Sequence, residues 1–104
     1  MGKIKIHNEG VSKFVLLEEL ETGELWVVTD KNAEFHEEVY KRFARKEGKT
    51  FRCLGGGRMS VNETEIKCWG YSVDYGKPNA ESVEKVLTEN ITDKKLVMEI
   101  GIGY

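Results

Sequence analysis

The 104 residues hold one proline, two cysteines and two histidines. With Pro78 alone, and with no repeat or low-complexity tract, the chain has no stretch that reads as a linker. His7, His36, Cys53 and Cys68 are too few and too scattered for a zinc site. The two cysteines read as buried free thiols of a reducing compartment, with a disulfide between neighbouring strands as the alternative. No apolar run approaches the ~20 residues of a membrane span, and no apolar leader opens the chain, so a membrane partner is not expected and the location reads as cytoplasmic. Charge of one sign is missing too. Sixteen basic and 18 acidic residues leave a net charge of −2, with no basic field to call for nucleic acid or anionic lipid.

What is present suits a soluble globular chain, with 39% hydrophobic and 33% charged residues. One domain over residues 1–104 is long enough to bury roughly 60–65% of its unfolded surface without staples. Lys3 to Ile6 alternates with period two and predicts a short edge strand, with His7 after it as a surface residue. Lys13 to Leu20 and Leu25 to Val28, joined by Glu21-Thr22-Gly23-Glu24, predict a hairpin.

A helix is predicted from about Ala33 to Lys46, stopped by Gly48. Its acidic first turns and basic end complement the macrodipole, and Phe35, Val39 and Phe43 form its inner stripe. His36 falls on the inner half of the helix and in its first turn, where free N–H groups attract an anion. Thr50 to Leu54 and Arg58 to Val61 read as one strand broken by Gly55-Gly56-Gly57, and Glu65 to Val73 returns beside it. A second helix, Ala80 to Asn90, has Ala80, Val83, Leu87 and Ile91 as its inner stripe. Leu96 to Ile100 is a final strand, too apolar for an exposed edge. The fold class is α+β: one mostly antiparallel or mixed sheet of about six strands with two helices packed on it.

Three consecutive glycines are costly to order, because glycine loses the most backbone freedom on folding. They signal a bulge, a bend or a close backbone approach. Alternatively, with Arg58 beside them, they signal an anion held by backbone and guanidinium. No Gly-Lys-Ser or Gly-Lys-Thr follows, so a nucleotide P-loop is excluded.

The run Cys53-Leu54-Gly55-Gly56-Gly57-Arg58-Met59-Ser60, followed by Gly70-Tyr71-Ser72-Val73-Asp74-Tyr75-Gly76, resembles the signature of the Janus/Ocnus family of phosphohistidine phosphatases. Gly10 to Leu16 is similar to that family's first strand with its lysine, Ala33 to Tyr40 to its histidine segment, and Gly103-Tyr104 to its last residues.

The resemblance implies metal-independent hydrolysis of phosphohistidine on proteins, with no cofactor. The expected partner is a histidine-phosphorylated protein, and the expected state is a monomer. His36 is then the general base on water, Lys13 and Arg58 the cationic clamp on the phosphoryl group. Backbone N–H groups around His36 and Glu37 and of Ser72 to Asp74 complete the cradle, with the Ser72 hydroxyl as a further donor. Tyr71, Tyr75 and Tyr104 wall the site.

The alternatives are a phosphoprotein-binding module without turnover, a phospholysine or phosphoramidate phosphatase, and a phosphorylated His36 intermediate. Two departures stand out: Val28 takes the position of a family arginine, and no second histidine lies in Lys77 to Ala80. Asp74 stands where the family has a small residue. Its side chain either points to solvent and pairs with Lys77, or tunes the site by raising the pKa of His36 or engaging a basic flank of the substrate.

Overall fold

The computed structural model describes residues 2–101. Six strands, β1 (Lys3–Lys5), β2 (Gly10–Glu19), β3 (Leu25–Thr29), β4 (Phe51–Val61), β5 (Glu65–Gly70) and β6 (Lys95–Ile100), form one sheet. Helices α1 (His36–Glu47) and α2 (Ala80–Asn90) complete it, so the fold is α+β as expected. The strand order is β1-β3-β2-β4-β5-β6. The centre is antiparallel, and each end closes with a parallel pair, β1 with β3 and β5 with β6.

Alternation along β2 splits its apolar residues between the two faces. Val15 and Leu17 join Trp26, Val28, Phe51, and Val39 and Phe43 of α1 in one core. Phe14 and Leu16 join Met59, Ile66, Cys68, and Val83, Val86 and Leu87 of α2 in the other. The helices therefore cover opposite faces of the sheet.

Both helices are ended by local chemistry. Gly48 caps α1 in the left-handed conformation at φ 67°, and Asn79 caps α2 by accepting from Ser82 N–H at 2.9 Å. Helix α1 begins later than its periodicity suggests. Phe35 is extended, at φ −125°, and 60% exposed, so it is the N-cap residue and the inner stripe is His36, Val39 and Phe43. In α2, Val86 is buried and Ala80 is exposed.

Strand β6 is an edge among the described residues, against expectation. Its apolar character has another cause: Leu96, Met98 and Ile100 pack on the α2 core. His7 is not a plain surface residue either. Its Nε2 lies 2.7 Å from the Gly10 carbonyl and its Nδ1 3.0 Å from Thr29 Oγ1, which joins the end of β1 to β2 and β3.

The glycine run does not break β4. The ladder to β2 continues through it, with Leu16 opposite Gly55 and Leu17 opposite Cys53, leaving Leu54 as a bulge. Each glycine admits a different neighbour. A Cβ on Gly55, where φ is 142°, would stand 2.6 Å from Pro78 N; one on Gly56 would stand 2.7 Å from His36 Cδ2; one on Gly57 would stand 2.8 Å from Phe14 Cε2. Close approach accounts for the three residues. Cys53 and Cys68 are free and belong to cores on opposite faces of the sheet, so they cannot pair.

Candidate functional site

The site begins with the pairing of β2 and β4, which sets Lys13 directly opposite Arg58. Both are half-buried. By alternation they share the α1 face with Val15 and Gly56, two residues further along the same ladder.

His36, the first residue of α1, is 7% exposed and lies against Gly56. Its Nε2–H donates to the Gly57 carbonyl at 2.9 Å, which leaves Nδ1 as the basic nitrogen of the neutral ring. Burial lowers the His36 pKa from its ordinary 6.5. The bond to Gly57 opposes that shift, Lys13 and Arg58 add to it by charge, and Asp74 opposes it. Burial, then Arg58, also lowers the Lys13 pKa from its ordinary 10.5.

The first turn of α1 is arranged around Glu38. Its Oε1 accepts from Glu34 N–H at 3.0 Å and Phe35 N–H at 3.2 Å, and its own N–H donates to the Phe35 carbonyl at 3.0 Å. The N–H groups of His36 and Glu37 are left without an acceptor inside the helix. The Glu37 side chain pairs with Lys41 at 3.4 Å on the exposed surface.

The third part is the turn after β5. That strand ends at Gly70, at φ 75°, and not at Val73. Ser72 and Gly76 form an isolated bridge, and the Gly76 carbonyl accepts from both Ser72 N–H, at 3.2 Å, and Gly56 N–H, at 3.1 Å. Ser72 is 1% exposed and its Oγ accepts from Tyr75 N–H at 3.1 Å, which leaves the hydroxyl proton to donate. With the Ser72 and Tyr75 N–H groups used inside the turn, those of Val73 and Asp74 are the turn's remaining donors. Tyr75 meets Tyr40 of α1 edge-on, with ring centroids 5.9 Å apart, so the turn is held against the helix.

Asp74 is exposed, and no ion pair joins it to Lys77, whose side chain runs toward Gly101. Its charge nevertheless acts on His36. Tyr104 lies outside the described residues, and Val28 is buried beneath α1, opposite Val15.

Strand pairing, the first turn of α1 and the turn after β5 thus converge on the Gly56–Gly57 backbone. A cleft of about 180 Å³ includes Lys13 and Arg58, bounded also by Val11, Ser12, Lys31 and Ala33. Two larger clefts, of about 250 and 320 Å³, include none of the predicted site residues. Lys31 lines the cleft of Lys13 and Arg58 without having been singled out in the sequence, because a lysine in a polar turn carries no signal of its own. Among the described residues, no three His, Cys, Asp or Glu side chains group as a metal site would need. Among the same residues, no helix is long and apolar enough to cross a membrane.

This arrangement, a buried imidazole with two cations and converging N–H groups, is suited to a phosphoryl group. Residues 1–95 match the sequence profile of the Janus/Ocnus family (Ocnus), and the chain belongs to that family. It is 31% identical over 104 aligned residues to the 14 kDa phosphohistidine phosphatase of Homo sapiens, covering 80% of this chain and 78% of that protein. It is 30% identical, with the same coverage, to the protein of that name from Sus scrofa. The sex-regulated protein janus-A of Drosophila yakuba is 26% identical over 98 residues, covering 86% of this chain and 73% of that protein.

Proposed function

We propose that this protein hydrolyses the P–N bond of phosphohistidine on a partner protein, without a metal or other cofactor. The observation that carries this reading is the His36–Gly57 hydrogen bond, which turns Nδ1 into the basic nitrogen beside two cations. Similarity to relatives named as phosphohistidine phosphatases supports the substrate class.

Lys13 and the forked guanidinium of Arg58 grip the phosphoryl oxygens. The N–H groups of His36, Glu37, Val73 and Asp74 and the Ser72 hydroxyl stabilise charge on the equatorial oxygens. His36 Nδ1 takes a proton from the attacking water as its oxygen bonds to phosphorus. The P–N bond breaks, and its electron pair stays on the departing imidazole, which leaves neutral when protonated at its other nitrogen. Tyr71 and Tyr75 wall the site. The protein acts as a cytoplasmic monomer.

Incubation with a chemically phosphorylated histidine protein tests the reading through release of inorganic phosphate, with EDTA in a parallel sample. Equal release in both is expected. Binding without release would make the protein a phosphoprotein-binding module. Release that stops on chelation and returns with magnesium would overturn the metal-free mechanism. Faster release from phospholysine than from phosphohistidine would move the substrate class.

A further inference from the structure

The cleft that holds Lys13 and Arg58 does not end with them. Lys31 lines it too, with exposed Val11 and with Ser12 and Ala33. Three cations and no carboxylate line it, in a chain whose net charge is −2.

Lys31 is an exposed lysine held in position. Asp30 fixes its turn by accepting from Asn32 N–H at its side chain, 2.9 Å, and from Ala33 N–H at its carbonyl, 3.2 Å. The Lys31 ammonium donates to the Glu9 carbonyl at 3.0 Å. It also lies over Gly10, where a Cβ would come within 3.3 Å of Nζ. An ammonium has three donors, so one bond to Glu9 leaves two for a ligand. Among the described residues no carboxylate pairs with Lys31, whereas Lys3, Lys41, Lys49 and Lys67 each have one.

Resting on the phosphohistidine reading, we infer that Lys31 is a specificity-determining residue: it receives an acidic side chain that flanks the phosphorylated histidine of the substrate protein. A dianionic phosphoryl group is met by Lys13, Arg58 and backbone donors. The third cation of the same cleft meets a second negative group on the same polypeptide. An extended chain advances about 3.3 Å per residue, so a neighbour of the phosphohistidine spans a cleft of this size.

The test measures affinity for two peptides carrying a non-hydrolysable phosphohistidine analogue, phosphoryltriazolylalanine, one with aspartate flanks and one with asparagine flanks. Binding reads the cleft whether or not the protein turns its substrate over, so failure of the phosphatase reading leaves this result interpretable. The aspartate peptide is expected to bind about two- to fivefold tighter at low salt, the range of an exposed ion pair, and the preference is expected to vanish in high salt. Lys31→Ala abolishes the preference, Lys31→Glu reverses it and Lys31→Arg keeps it. Equal affinity of the unaltered protein for both peptides overturns the proposal. So does a Lys31→Ala variant that weakens both peptides alike, because Lys31 would then belong to the phosphate cradle.

Discussion

The ring of His36 and the backbone of Gly56 share space that no larger residue at 56 could leave free: an added Cβ would stand 2.7 Å from His36 Cδ2 and 2.6 Å from the Phe14 carbonyl oxygen. Position 56 therefore sets where the imidazole stands. Gly56→Ala is expected to displace the ring and strain β4 against β2, lowering stability by about 1–3 kcal/mol. For a chain of this size each kcal/mol is about 4–8 °C in Tm. The rate falls further than the loss of folded protein explains, since a small misplacement of a catalytic group is costly. A thermal melt and a turnover measurement on one sample check both; unchanged kcat in a folded variant would show that ring position is not critical.

His36→Ala removes the general base and is expected to lower kcat by about 10²–10⁴-fold. Lys13, Arg58 and the first turn of α1 remain, so phosphate affinity changes little. A variant keeping more than a third of the unaltered rate would make His36 a core residue only.

Lys13→Ala and Arg58→Ala each weaken phosphate binding, and Arg58→Ala the more, because a fork loses two hydrogen bonds. Arg58→Lys restores part of the loss. Titration with inorganic phosphate gives the order; complete restoration by lysine would mean that a point charge suffices.

Burial, followed by the charges of Lys13 and Arg58, keeps His36 below its ordinary 6.5, so the neutral, basic ring persists to lower pH than in a free histidine. The acid limb of kcat/KM, which follows the free protein, is expected below 6.5. Stability follows the same sign. The unfolded chain binds the proton more readily, so this contribution is present above 6.5 and is lost as pH falls through the folded value. Asp74 raises the His36 pKa, so Asp74→Ala at low salt moves the acid limb further down. A limb that stays where it was would make Asp74 a solvent-facing bystander, and a lost rate would make it catalytic. On the alkaline side, Lys13 discharges below its ordinary 10.5, and phosphate affinity falls there first.

Much of this was legible in the residues because local chemistry decides it. Asn79 caps a helix that starts and stops where its periodicity predicts, and Gly48 supplies the left-handed turn that ends α1. The inner placement of His36 followed from 100° per residue. The misses arise where a distant neighbour decides. Phe35 fits the helical stripe, yet the chain enters α1 through it in an extended conformation, with Glu38 gathering the N–H groups around it. Strand β6 is apolar because α2 lies over it, which no pattern within the strand can say. The pairing of Lys13 with Arg58 depends on a register across β2 and β4. The glycine run was ambiguous for the same reason, since its explanation lies in Pro78, His36 and Phe14.

The two thiols give the protein a chemically quiet background. Burial pushes Cys53 up to about 11 and Cys68 to about 12. At neutral pH roughly one Cys53 in ten thousand, and about ten times fewer Cys68, carries the thiolate that reacts with electrophiles. A cysteine introduced at Val73, 71% exposed beside Asp74, would therefore take a maleimide dye almost alone, and fluorescence from the turn could then report phosphoryl binding in an otherwise native chain.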